Sequence, residues 1–411
     1  MLDKCYLQPA FAVEMLLEKL SGYITSVEKQ RIEECYGRVA ASDILSPEDL
    51  PGFARATMDG YALKAADTYA AKETIPACLK ISGEVFMGEN PGFEIISGQA
   101  AKIPTGGMIP PGADAVVMLE HTRSISDDTI EILEPVAQGE NAIKRDGDTR
   151  KGSVVIRKGR KLRAQDVGAL AGTGITSIDV FKKPIVNLLS TGDEIVPADC
   201  RVSQGQVRDI NSFTLSGLIS EEGGVVYKKW ILKDDYNTIR NCVEQSLQEA
   251  DLIVIIGGTS AGTRDMTAKI IDDIGNPGVL FHGVAVKPCK PLIGGIVQDK
   301  PVLGLPGHPA AAVVSFNLFI APLIRRLSGA DLSPRFMKTV RARMGKCIVS
   351  AAGREDHIRV YVEHREGELE AIPIFGKSGL ITTLVNADGI VIIPSSKLGI
   401  DKGESVTVNL F

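Results

Sequence analysis

The stretch Pro184-Ile185-Val186-Asn187-Leu188-Leu189-Ser190-Thr191-Gly192-Asp193-Glu194 decides the fold. Four of the six residues after the proline are aliphatic, and the run ends abruptly in a polar Gly-containing turn. A short apolar run closed by turn residues reads as a buried strand. The residues downstream fix its setting. Residues 212–222 carry a helical pattern closed by Gly223-Gly224, 225–231 a strand, 236–250 a helix and 252–256 a strand. Strands alternating with helices at this spacing predict a parallel sheet with helices on its faces. Residues 309–327 read as the last helix of this unit.

Outward from this centre the pattern changes on both sides. Upstream, residues 11–20 carry a helical apolar stripe that Gly22 can end. Residues 27–36 read as a second helix, stopped by Gly37. Between 51 and 140 short β-like runs at 79–81, 101–103, 115–119 and 129–133 are separated by Gly and Pro, which predicts a small β-rich domain. A turn-rich strip leads to a helix at 164–171. Downstream of Gly329 the β pattern returns at 339–343, 357–362, 369–374, 389–393 and 405–410. The expected division is 1–50 plus 141–180 as a discontinuous N-terminal linker and dimerisation domain, 51–140 as an inserted β-rich domain, 181–329 as the α/β domain and 330–411 as a C-terminal β domain. A chain of 411 residues is long enough for several cores.

Composition narrows the function. With 46 Lys and Arg against 51 Asp and Glu, the chain lacks the basic surface of a general nucleic-acid binder. Met1-Leu2-Asp3-Lys4-Cys5 has no basic and apolar leader pattern, and runs such as 252–256 are too short to span a bilayer. The cytoplasm is the expected location, with no membrane partner. Seven Cys without CxxC spacing argue against a zinc site or a disulfide framework. The five His show no metal-ligand spacing.

Ligands of such sheets sit beyond the carboxyl ends of the strands, so the loops there are the candidates. Asp193 and Glu194 come directly after the first strand. Gly257-Gly258-Thr259-Ser260 comes after another, offering N–H groups and hydroxyls to phosphate. Pro306-Gly307-His308-Pro309 runs from a third strand into a helix start. Lys287-Pro288-Cys289-Lys290-Pro291 places two cations in a rigid frame suited to an anion. Taken singly, each also reads as a plain turn or a solvated charge, and the Gly-rich loop lacks the Lys-Ser/Thr ending of a P-loop. Met58-Asp59-Gly60-Tyr61 on its own reads as a hairpin turn.

Together, in order, these segments resemble a known family. Met58-Asp59-Gly60-Tyr61-Ala62, Pro104-Thr105-Gly106, Ala115-Val116-Val117-Met118, Ser190 through Glu194, Asp209-Ile210-Asn211, Gly257 through Ser260, Val286 through Pro291 and Gly304 through Pro309 are similar to the molybdopterin molybdenumtransferases, relatives of the C-terminal part of gephyrin. The resemblance implies an elongated multidomain α/β subunit. It would combine a three-layer domain like that of the molybdopterin adenylyltransferases, an inserted β-rich domain and a C-terminal β-barrel-like domain. It implies a homodimer, adenylylated molybdopterin and molybdate as substrates, Mg2+ as cofactor, release of AMP, and a molybdopterin adenylyltransferase as upstream partner. The residues it implies as catalytic are Asp59, Thr105, Asp148, Glu194, Asp234 and Asp265, the first three from the other subunit. For Mg2+ it points to Asp193, Glu194 and Asp265. For the substrates it points to Thr191, Gly192, Gly257, Gly258, Thr259, Ser260, Lys287, Lys290, Pro306, Gly307, Pro309 and Ser378. His308, Cys289 and Met266 stand where the family usually has Asn, Gly and Tyr, and the stretch around Asp148 is one residue shorter than the family pattern. A tungsten-inserting sibling and a gephyrin-like scaffold are the alternatives.

Overall fold

The structure is a computed structural model. It describes residues 6–20, 22–257, 264–332, 338–365 and 367–411, with the backbone alone at Arg264 and Asp265. The central sheet has six strands, in the order Val225–Leu232, Ile185–Thr191, Leu252–Gly257, Lys300–Leu305, Ile293–Val297 and Gly278–His282. The first four are parallel; Ile293–Val297 runs antiparallel to Lys300–Leu305, and Gly278–His282 antiparallel to Ile293–Val297. Successive side chains point to opposite faces, so Leu188 and Leu189 enter different cores. On one face Val186, Leu188, Val254 and Leu303 pack against Leu215 and Ile219 of the helix Asn211–Glu222, and against Phe319 and Leu323 of the final helical run. On the other, Leu189, Ile253 and Ile255 meet Ile239 and Val243 of Tyr236–Glu249 and Ile270 and Ile271 of Arg264–Ile274. These are the three layers that the strand–helix alternation predicts.

The helix Pro9–Lys19, although first in the chain, joins this core through Ala12 and Leu16, with Leu20 just beyond its end. Full burial of each leucine contributes roughly 1.5–3 kcal/mol. The run Pro309–Leu327 is long and apolar enough to cross a membrane, but 72% of it is buried inside the protein, which makes it a core helix.

The expected second helix at 27–36 is not one. Val27–Arg31 is a strand, antiparallel to Ser177–Phe181, and only Ile32–Glu34 makes a single 3₁₀ turn. Lys, Glu, Gln and Arg are good helix formers, but the partner strand lies far along the chain, and its ladder overrides local propensity. The same return of the chain pairs Ile44–Leu45 with Val154–Ile156. The intervening segment folds as its own six-stranded sheet, in the order Ala115–Met118, Gly60–Leu63, Gln99–Ile103, Ala77–Glu84, Thr129–Ile132 and Thr122–Ser126.

The C-terminal strands close a barrel. Glu355–Arg365 pairs with Glu368–Pro373, which pairs with Thr339–Met344, then Ser405–Leu410, then Gly389–Ile393, which returns to Glu355–Arg365. Val286–Lys287 of the α/β unit runs parallel to Glu355–Asp356 and stitches the barrel to it. The accessible surface is 21245 Å², against about 15,000 Å² for one compact body of 43.9 kDa. The excess fits several domains strung out in an elongated subunit.

Candidate active site

The carboxyl ends of three adjacent parallel strands come together. Gly257 has φ +105°, and a Cβ there would lie 2.3 Å from the carbonyl oxygen of Thr191; a Cβ on Gly307 would lie 3.5 Å from the Gly257 Cα. Only glycine at 257 lets the backbones approach this closely. Gly192 donates its N–H to the Leu232 carbonyl, 3.0 Å away. Thr191 is buried, and its hydroxyl has no hydrogen-bond partner among the described residues. Asp209, also buried, accepts from the Ser190 hydroxyl and from the Ser212 N–H, both at 3.1 Å. Asn211 donates to the Gly307 carbonyl at 2.7 Å and so holds the Pro306–Pro309 turn from behind.

One side of that turn is acidic. Asp193 and Glu194 are exposed, while Asp234 is half-buried, with one oxygen shut off from solvent and unpaired among the described residues. Burial, then the nearby charges of Asp193 and Glu194, push the Asp234 carboxyl above its ordinary range. An orphaned carboxylate oxygen beside two exposed carboxylates suits a divalent cation. Mg2+ needs only one or two protein carboxylates and keeps several waters. Among the described residues no group of three ligating side chains is preassembled. Gly258, Thr259 and Ser260 lie outside the described residues, as does the Asp265 side chain.

The other side is basic. A cavity of about 1020 Å³ lies between the α/β unit and the barrel. Lys287, Lys290, Arg354, Arg359 and Lys377 all line it, with Pro306, His308 and Ser378, and among the described residues no carboxylate does. Ser378 hydrogen-bonds His308 Nδ1 at 2.9 Å, and Pro309 opens the helix beyond the turn. Behind the wall, Asp356 is 1% exposed; Arg354 Nε donates to it at 2.8 Å and Lys287 Nζ stands 3.8 Å away. Lys290 Nζ rests 4.2 Å from the centre of the Tyr6 ring. The Arg359 Nε is buried without a partner among the described residues, and burial lowers the guanidinium pKa, though an arginine stays charged at neutral pH. Cys289, at φ +142°, is buried with its sulfur 2.9 Å from the Ser315 hydroxyl. Burial pushes this thiol up to about 12, so it stays protonated beside the cavity.

Asp59 lines a separate cleft in the inserted segment, next to Thr105. Asp59 accepts the Thr105 N–H at 2.7 Å. That bond, then the Thr105 hydroxyl, holds the Asp59 carboxyl below its ordinary range. Asp148 is exposed in a turn, its N–H on the Leu50 carbonyl at 3.0 Å. Neither Asp59 nor Asp148 reaches the basic cavity of its own chain. Sequence reasoning does not single out Arg354, Arg359, Lys377, Tyr6 or Asp356. They are scattered on the barrel and the N-terminus with no local spacing signal. Asn211 lies within a motif of the resemblance, yet its hold on the turn shows only in three dimensions.

Comparison with known proteins bears directly on this arrangement. The family descriptions "MoeA N-terminal region (domain I and II)", "Probable molybdopterin binding domain" and "MoeA C-terminal region (domain IV)" match residues 8–174, 187–326 and 341–411 in order. A molybdopterin molybdenumtransferase of Haemophilus influenzae is 31% identical, covering 96% of each chain. This chain belongs to the molybdopterin molybdenumtransferase family. A putative molybdopterin biosynthesis protein of Methanocaldococcus jannaschii is 36% identical over 97% of this chain and 96% of its own. A crystal structure of a molybdopterin biosynthesis protein of this family from Pyrococcus horikoshii superposes with a TM-score of 0.82 at 33% identity, covering 99% of this chain and 100% of that one. Membership accounts for the order of the motifs, the three-layer unit and the closed barrel.

Proposed function

We propose that the chain is a Mg2+-dependent molybdopterin molybdenumtransferase. It takes adenylylated molybdopterin and molybdate, cleaves the pyrophosphate, releases AMP and leaves molybdenum on the dithiolene. The observation that carries this reading is the Pro306–Pro309 turn, one wall shared by a basic cavity and an acidic strand-end cluster. A substrate with a pyrophosphate and a reaction that consumes an oxyanion need both.

Each part then has a task. Lys287, Lys290, Arg354 and Arg359 hold the tetrahedral dianion, with the Ser378 hydroxyl donating to its oxygens and the dipole of the helix that Pro309 opens favouring its charge. Thr191, Gly192 and the Gly257–Ser260 loop seat the phosphates. Asp193, Glu194 and Asp265, with Asp234 behind them, would hold Mg2+, which offsets charge at the phosphorus under attack. Asp59, Thr105 and Asp148 complete the cleft from the second subunit of a homodimer. The site of action is the cytoplasm, downstream of a molybdopterin adenylyltransferase.

The test is AMP release by the full chain from adenylylated molybdopterin, with and without molybdate and Mg2+. Release that requires both, and is strongly reduced in Glu194→Gln, is expected. Release indifferent to molybdate would overturn the reading.

A further inference from the structure

The inserted segment carries a second concavity that the oxyanion and phosphate chemistry leaves unused. A cleft of about 390 Å³ is lined by Asp59, Glu84, Phe86, Met87, Lys102 and Leu119, among others. Its apolar walls are open to solvent: Phe86 is 58% and Met87 60% exposed. Apolar side chains left this open around a concavity mark a binding surface. The charges are arranged unevenly. Glu84 and Lys102 neutralise each other at 3.0 Å. Asp59 has no cation beside it among the described residues, and Thr105 occupies only part of its acceptor capacity, since a carboxylate offers about four lone-pair sites. Gly60, which a Cβ would drive to 1.8 Å from the Val117 carbonyl oxygen, fixes the backbone at this carboxylate.

A spare carboxylate beside an aromatic ring and a thioether is a poor site for an oxyanion. It fits a planar heterocycle that presents two adjacent N–H donors. We propose that this cleft seats the pterin end of the substrate, with the ring against Phe86 and Met87 and the 2-amino and N3–H groups donating to Asp59. The inference rests on the molybdenumtransferase reading for its choice of heterocycle. Adenine, at the opposite end of the same substrate, is the less suitable occupant. Its pairing edge sets an acceptor nitrogen beside the amino group, and that nitrogen would face the carboxylate's lone pairs. The proposal also gives a reason for a carboxylate in a site that handles anions: it is aimed at the edge of the substrate that presents two adjacent N–H donors.

The test titrates the full chain with fluorescent 6-hydroxymethylpterin and with 6-hydroxymethyllumazine, in which an oxo group replaces the 2-amino donor. The pterin is expected to bind about tenfold or more tightly than the lumazine, the range of one lost hydrogen bond to a charged group. Asp59→Asn can still accept the Thr105 N–H, and should erase that preference. Phe86→Ala, at an exposed position, should weaken both ligands alike without loss of thermal stability. Equal binding of the two heterocycles to the wild type, no binding of either, or an undiminished preference in Asp59→Asn overturns the proposal. AMP release measured on the same preparations separates this from the functional reading. Normal molybdate-dependent release with failed pterin discrimination removes only the pterin seat, whereas pterin discrimination without any release removes the reaction.

Discussion

The two flanks of the Pro306–Pro309 turn are built in opposite ways. The acidic flank comes from consecutive strand ends of one sheet: Thr191 through Glu194, Asp234 and Gly257 lie at the ends of strands that run side by side. The basic flank is assembled from two domains. Lys287 and Lys290 come from the α/β unit, Arg354, Arg359 and Ser378 from the barrel, and Tyr6 from the N-terminus. The first flank is a local consequence of parallel-sheet topology. The second exists only because Val286–Lys287 joins the barrel as a strand and brings Asp356 beneath two of the cations. Domain docking adds Arg354 and Arg359 to the two cations of the Lys287–Pro291 motif and so completes the basic cavity.

If the flanks divide the labour in this way, mutations on them should fail differently. The largest effect is expected on the acidic side. Glu194→Gln keeps the shape of an exposed side chain and removes its charge, so kcat should fall by roughly 10²–10³-fold, the scale of losing one electrostatic stabiliser of a transition state. Unfolding temperature should stay unchanged. A folded Glu194→Gln enzyme releasing AMP at the wild-type rate would take Glu194 out of the site.

On the basic side, Lys290→Ala removes one charge-assisted contact to the dianion, worth roughly 1.5–3 kcal/mol. Half-saturation by molybdate should rise roughly tenfold to a hundredfold. Because the cavity is partly enclosed, the change should persist at high salt. An unchanged molybdate dependence would leave Lys290 as packing on Tyr6.

The proposal that the site is shared between two subunits can be probed by mixing Asp59→Ala with Glu194→Ala chains. Random exchange makes half the dimers mixed, with one intact composite site in two, so about a quarter of wild-type activity should return. Proven heterodimers without activity would mean that each site is built from one chain.

The smallest effect concerns Asp234. Its raised pKa means that the carboxyl favours folding at low pH, and that this contribution is lost as the pH climbs through the raised value. At neutral pH the ionised, half-buried group therefore opposes folding in the metal-free protein. Asp234→Asn should raise the metal-free unfolding temperature slightly at pH 7 but not at pH 4, and added Mg2+ should narrow the difference. A uniform shift at both pH values would mean that the carboxyl is solvated after all.

Legibility in the sequence divides along the same line. The strand 184–190, the helix 236–250 and the turn at Pro306–Pro309 are readable because hydrophobic period and turn chemistry are local. Asp193 and Glu194 are readable as candidates because a strand end predicts their position beside Thr191 and Gly192. The stretch 27–36 misleads, since its polar helix formers are recruited into a ladder with Ser177–Phe181 that no local window contains. Arg354 and Arg359 stay invisible for a related reason. In sequence they are two of many charges in and just before the strand Glu355–Arg365, and only barrel closure and docking bring them to the cavity of Lys287 and Lys290. Cys289 shows a milder version: its rigid frame is legible in Pro288 and Pro291, but its burial against Ser315 is not.

The division of labour is tested most directly by full molybdate saturation curves for wild type, Glu194→Gln and Lys290→Ala, read as AMP release at saturating Mg2+. The account predicts that Glu194→Gln lowers the plateau and leaves the half-saturating molybdate concentration in place, while Lys290→Ala raises that concentration and recovers most of the plateau. Both variants losing plateau alone, with molybdate dependence untouched, would contradict the assignment of the basic cavity to the oxyanion.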